Sequence, residues 1–180
     1  STDWLGLVTR NAGGAEHNFA VSGAREDMRY RLSLGLLNQD GILLGTNTQR
    51  LSGSASYRDV LLNDRLELSA NFKGSRNTDG YSPGGTIGNA VSMDPTQRPI
   101  NGSTYFQYTN PLGPNNPLSD LALIQDDGQV YRSVGNVEAK WYFPWEGLTA
   151  TMRTGYDYAM SSRTTFAPST SQSDIETGRG

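Results

Sequence analysis

The chain has 180 residues, a formal net charge of −3, a pI near 5.1, 35% hydrophobic residues and a mean hydropathy of −0.56. With its arginines scattered and no basic stripe, it does not read as a nucleic-acid binder, and the lack of cysteine excludes disulfides, thiolate nucleophiles and cysteine-ligated metals. Low hydropathy with 21 glycines suits a soluble all-β protein and also an outer-membrane barrel, because half of every barrel strand faces water.

In chain order, residues 1–14 form a polar lead-in whose strong apolar anchors are Trp4, Leu5 and Leu7. Residues 17–22 read as a short strand, and 23–27 as a tight turn into a strand over 28–37. There Met28, Tyr30, Leu32, Leu34 and Leu36 alternate with Arg29, Arg31, Ser33 and Gly35. A longer connection, 38–48, leads to a weaker strand over 49–60, and 61–64 turns into a strand over 65–75. In that strand Leu66, Leu68, Ala70 and Phe72 alternate with Glu67, Ser69, Asn71 and Lys73.

Residues 76–134, rich in Gly, Pro, Asn, Asp and Ser, read as one long surface loop with a short element near 121–124. Strands over 135–143 and 148–158 follow, joined by a turn at 144–147, and the Ser/Thr-rich residues 161–180 read as a flexible tail. Period-two alternation places apolar side chains on one face and polar ones on the other. Alternating segments of about ten residues match the 9–11 tilted residues that cross a bilayer better than the five or six of a soluble strand.

Short turns (23–27, 61–64, 144–147) take turns with long connections (38–48, 76–134, beyond 160), the arrangement of an outer-membrane barrel with short periplasmic turns. With the short turns inside, Trp141, Phe143 and Trp145 fall at the periplasmic rim, and Tyr156 and Tyr158 near the outer rim. The competing expectation is that these aromatics pack a soluble core. The fold expected is an all-β antiparallel up-and-down meander of about six strands, in one β domain over 1–180.

Several short words in fixed order resemble the SusC/RagA family of TonB-dependent outer-membrane receptors. They begin with Asp3-Trp4, Arg10-Asn11-Ala12, His17-Asn18, Ser22-Gly23 and Arg29-Tyr30, with Ser33 and Gly35. Asn38-Gln39-Asp40-Gly41-Ile42, Arg50 with Ser52, and Asn63-Asp64-Arg65-Leu66 with Leu68, Asn71 and Ser75-Arg76 continue the series. Met93-Asp94-Pro95, Gly102 with Tyr105-Phe106, Asn110-Pro111-Leu112 and Gly155-Tyr156-Asp157-Tyr158 complete it. Two departures stand out. Gly6 and Leu7 replace acidic residues usual after the Asp-Trp pair, and the chain ends in Thr177-Gly178-Arg179-Gly180 rather than in an aromatic residue. The resemblance covers an early part of the barrel, without plug or TonB-contacting segment.

The resemblance implies a segment of a non-enzymatic nutrient receptor, for glycans or peptides, in the bacterial outer membrane. Its partners would be the rest of the barrel, the plug and outer-membrane lipid. The alternative is a free-standing soluble β-sandwich or closed barrel in the periplasm, an extrinsic structural or interaction subunit of a larger membrane complex. In that form the apolar faces would pack against each other.

Site chemistry is sparse. His17 is the only histidine and reads as a local hydrogen-bonding residue, so no catalytic residue, metal ligand or cofactor site is assigned. Gly84-Gly85-Thr86-Ile87-Gly88 reads as a flexible turn without the ending of a phosphate loop, and Asp126-Asp127-Gly128 as an ordinary turn. Tyr81, Tyr105, Phe106, Tyr108 and Tyr131 fall in the long loop, where they would contact a ligand or partner or pack on one another. Arg29, Arg31, Glu67, Lys73, Glu138, Lys140, Arg153 and Asp157 would line the polar face in a charged ladder.

Overall fold

Six long strands form one open antiparallel sheet in the computed structural model, which describes residues 1–110, 112–169 and 171. They are β1 (Gly14–Arg25), β2 (Met28–Asp40), β3 (Asn47–Leu61), β4 (Leu66–Gly80), β7 (Gln125–Tyr142) and β8 (Thr149–Phe166). A small hairpin, β5 (Ile100–Asn101) with β6 (Thr104–Tyr105), interrupts the series, and the large sheet runs β1-β2-β3-β4-β7-β8. This is the predicted meander. The sandwich or closed barrel of the alternative is not formed among the described residues, since every long strand belongs to the same sheet.

Register explains why the alternation persists across the sheet. Val21 pairs with Leu32, Leu32 with Ala55, Ala55 with Phe72, Phe72 with Gly135 and Gly135 with Tyr156. A slip of one residue in any pair would carry a polar set onto this apolar row. Gly135 is small for a steric reason. A Cβ there would lie 2.5 Å from the Tyr156 ring and 2.7 Å from that of Phe72, so the two rings close over the glycine.

The hydrophobic core is not in the sheet. The three short turns lie at one end, and the long connections meet at the other, where they fold into a cap. Its helices are α1 (Trp4–Val8), α2 (Thr86–Ser92) and α3 (Pro117–Leu123). Trp4, Val8, Ala90 and Met93 form its buried centre, with Leu43, Phe106, Tyr108, Leu118 and Leu121 packed around them. Asp3 caps α1 by accepting from the Gly6 N–H at 2.9 Å, and Asn116 caps α3 ahead of Pro117.

Several sequence-level boundaries move. The lead-in holds α1, five residues long and too short to show a helical period. Gly85, at φ 85°, is the N-cap of α2, so the glycine-rich segment opens a helix rather than forming a free turn. The element expected near 121–124 is the end of α3. Asp126-Asp127-Gly128 lies within β7, because β8 continues to Phe166 and pairs with that stretch throughout. Residues 161–166, expected in the flexible tail, are therefore strand, whereas 172–180 lie outside the described residues.

The β3–β4 turn carries three consecutive left-handed residues, Leu62 (φ 59°), Asn63 (54°) and Asp64 (65°). Asparagine and aspartate tolerate that region, but leucine does not. Leu62 is 59% exposed and loses little packing when shortened. Leu62→Gly is expected to stabilise the hairpin by about 0.5–1 kcal/mol, read as a shift of the denaturant midpoint at constant slope.

Candidate functional site

Two opposed faces of the sheet are the candidate site. On the first, large apolar side chains stand without cover: Phe19 and Val21 on β1, Leu32, Leu34 and Leu36 on β2, and Met152, Tyr156 and Tyr158 on β8. Met152 is 71% exposed and Val21 63%, values foreign to a soluble interior. On β7 the band runs from Trp141, beside the short turn, to Tyr131. At about 3.3 Å per residue this is roughly 33 Å along the strand, or about 25 Å in height at the usual barrel tilt. Polar groups begin beyond Tyr131, where Arg76 stacks over its ring at 5.3 Å and Gln129 accepts from its hydroxyl at 3.2 Å.

The second face is hydroxylic and charged. Arg58 pairs with Glu67, Arg153 with Glu138, and Arg132 with Asp157 at 2.8 Å. Ser33 and Ser54 share a hydrogen bond at 2.7 Å, and Arg50 donates to Asn77 at 3.0 Å. The residues expected to form a cross-strand ladder all fall on this face by register, and among them Glu67, Glu138, Arg153 and Asp157 are ion-paired. Exposed pairs of this kind are each worth less than about 1 kcal/mol, so they order side chains more than they stabilise the sheet.

The aromatics predicted at the rims are placed as follows. Trp141 lies on the apolar face of β7, and Phe143 and Trp145 stack in the short β7–β8 turn with centroids 5.8 Å apart. Tyr158 lies nearer the cap than Tyr156, which shares a hydrogen bond with Ser133 at 2.8 Å halfway along the strand.

The loop aromatics divide. Tyr131 is not in a loop but in β7, because that strand begins ten residues earlier than its alternation suggests. Phe106 and Tyr108 pack edge-on at 5.1 Å against the cap core, and Tyr105 lies in β6. Tyr81 receives the Arg163 guanidinium over its ring at 4.4 Å. Arg163 in turn donates to both Asp126 oxygens at 2.7 and 2.6 Å, which ties the base of the cap to the β7–β8 hairpin.

Sequence reasoning missed the residues that hold the cap. Asn116 is fully buried; its amide donates to the Pro99 and Phe106 carbonyls at 2.8 and 3.0 Å and its oxygen accepts from the Leu118 N–H at 3.0 Å. Arg10 clips the lead-in to the β2–β3 connection by donating to the Gly41 and Thr46 carbonyls. Asp94 organises a third point: its carbonyl accepts from the Trp4 indole at 3.0 Å and its N–H donates to the Tyr108 hydroxyl at 3.1 Å. The Thr96 N–H and hydroxyl hold the Asp94 carboxyl below its ordinary pKa, so this contact is present at neutral pH and weakens as pH falls through the carboxylate range. The Asn-Pro step at 116–117 was the available signal.

His17 stands on the apolar face opposite Leu36, and the local hydrogen bond expected of it is made instead by Asn18 to Glu16 at 3.1 Å. No metal-holding group of His, Asp or Glu occurs among the described residues.

A one-sided sheet with a tall uncovered apolar band, all short turns at one end and a folded cap at the other has the geometry of an outer-membrane barrel wall. No helix among the described residues is long and apolar enough to cross a membrane, a statement that says nothing of crossing by strands. No family model matches the chain. It is 29% identical over 189 residues, 92% of its length, to the TonB-dependent receptor SusC of Bacteroides thetaiotaomicron. The RagAB peptide importer in its open-open state superposes with a TM-score of 0.71 at 20% identity over 91% of the chain, and the RagAB peptide transporter with 0.70 at 21%. The chain spans about a fifth of the length of each, 19%. The resemblance to the SusC/RagA receptors seen in the sequence is thus found again in both comparisons, as a partial segment, and the proteins matched are receptors and transporters rather than enzymes.

Proposed function

We propose that this chain supplies six wall strands and a surface cap to a TonB-dependent outer-membrane receptor that imports nutrients. The observation that carries the reading is the continuous apolar band, which has no partner within the described residues and the height of a bilayer core. Lipid covers that band, the hydroxylic face lines the lumen, and the short turns face the periplasm. Trp141, Phe143 and Trp145 then sit at the inner interface, and Tyr158, with Tyr156 deeper, towards the outer one.

The open edges of β1 and β8 pair with further strands of the same barrel, because unpaired backbone groups are too costly in lipid. The cap faces the cell exterior, with Tyr81 and Tyr105 as its aromatics for contact with cargo or with a partner such as the second component of the RagAB assemblies.

The native polypeptide is expected in the outer-membrane fraction with an intact mass several times 19.6 kDa, and cells lacking it should lose uptake of an oligomeric nutrient. A native mass near 19.6 kDa in a soluble fraction would contradict this reading and favour the extrinsic subunit.

A further inference from the structure

Near the cap the apolar face turns polar in an ordered way. Where the band ends, one register row carries His17 on β1, Leu36 on β2, Leu51 on β3, Arg76 on β4 and Tyr131 on β7. The next row of this face towards the cap carries Asn38, Gln49 and Thr78. Side chains of the two rows, from His17 across to Arg76, line a concavity of about 700 Å³. Deeper in the band, Phe19, Val21, Leu32, Leu34 and Phe72 line a second one of about 490 Å³ on the same face.

Resting on the receptor reading above, we infer that the first concavity binds the phosphate head group of an outer-leaflet lipid, whose acyl chains lie over the second. Charge is the first observation. The Arg76 guanidinium stacks on the Tyr131 ring at 5.3 Å and makes no hydrogen bond or ion pair with any described residue. The nearest carboxylates of this face, Asp40 and Asp127, lie in a row four residues closer to the cap, roughly 13 Å along the strand. Asp40 is already engaged by Arg10 at 3.1 Å. A guanidinium at the edge of hydrocarbon needs an anion beside it, and its planar fork suits phosphate oxygens two at a time. The second observation is the donor set. His17, Asn38, Gln49 and Thr78 line the same concavity, and none of their side chains is hydrogen-bonded to a described residue. Their N–H and O–H groups can serve the remaining head-group oxygens. The third is continuity. A soluble phosphate would use the first concavity alone, whereas a lipid fills both, with its apolar part against Leu32, Leu34 and Phe72.

The test uses the full-length receptor that carries this segment, delipidated in detergent, with bound lipid counted by native mass spectrometry. The probes are dioleoyl phosphatidic acid and dioleoylglycerol, which has the same chains without the phosphate. The unmutated receptor is expected to bind phosphatidic acid about tenfold more tightly, the worth of one charge-assisted bidentate contact. Arg76→Gln should abolish that preference, and Arg76→Lys, which keeps the charge but not the fork, should retain part of it. Gln49→Trp fills the concavity and leaves Arg76 in place, so it should weaken phosphatidic acid binding even if Arg76→Gln fails to assemble. Arg132→Gln, on the opposite face, should change nothing. Equal affinity of the unmutated receptor for both lipids overturns the inference, as does a preference that survives both Arg76→Gln and Gln49→Trp. Displacement of the lipid by inorganic phosphate also overturns it, because the site would then take a soluble anion. Recovery of the unmutated protein from a soluble fraction marks failure of the receptor reading itself, and with it of the lipid site.

Discussion

Leu32→Arg is expected to destabilise the receptor by about 2–4 kcal/mol in lipid, the cost of a guanidinium near the bilayer midplane. Leu32 pairs with Val21 and Ala55 in the middle of the apolar band and is 54% exposed in the isolated sheet. On a water-facing sheet the same change would fall within about 0.5 kcal/mol, because exposed surface positions tolerate charge. The sign and size of this one substitution therefore separate a lipid-facing wall from a soluble subunit. Ala20→Arg, on the opposite face of β1, supplies the control and should cost no more than about 0.5 kcal/mol. Denaturant unfolding of the barrel from vesicles reads both.

Asn116→Ala should remove a comparable amount, about 2–4 kcal/mol, but from the cap alone. Its amide satisfies two carbonyls from different segments, those of Pro99 and Phe106, while its oxygen caps α3. Alanine would leave these groups in a closed site without partners, each costing on the order of 1 kcal/mol or more. The sheet needs nothing from Asn116. The expected result is accelerated proteolysis within residues 81–124 with an unchanged midpoint for barrel unfolding. Loss of both together would show that cap and sheet fold as one unit.

The sheet was legible because period two is visible wherever one face is apolar and the other wet. Leu32, Leu34 and Leu36 against Arg31, Ser33 and Gly35 leave a single register in which the apolar residues share a face. Strand ends beyond the band carried no such signal. Asp126, Asp127 and Gly128 look like a turn, and it is pairing to Arg163, Thr164 and Thr165 of β8 on one side and to Asp79 and Gly80 of β4 on the other that makes them strand. The cap was illegible for a different reason. Its helices have five to seven residues, less than two turns, and its core unites Trp4 with Ala90 and Met93 from distant parts of the chain. Composition marked residues 76–134 as loop, and tertiary contacts turned most of that stretch into folded structure.

The two faces also divide what the aromatics reveal. Tyr158 was placed near the outer rim by its strand's alternation, whereas Tyr131 could be placed near the cap end only after register was known, since it lay outside every predicted strand. Phe106 and Tyr108 were open in the sequence to ligand contact or to packing within the loop, and the structure packs them against the cap core and one another.

The measurement that bears most directly on the lipid-facing wall is a cysteine scan along β8 in intact outer membranes. This segment has no cysteine of its own, so each introduced thiol is its only one. Cysteines replacing Thr151, Arg153 and Asp157 should react with a membrane-impermeant maleimide once the lumen is opened to it. Cysteines replacing Met152, Tyr156 and Tyr158 should stay unmodified and instead be protected by lipid until detergent is added. Equal labelling of both sets, or protection of the Thr151 set alone, would contradict a wall with its apolar face in the bilayer.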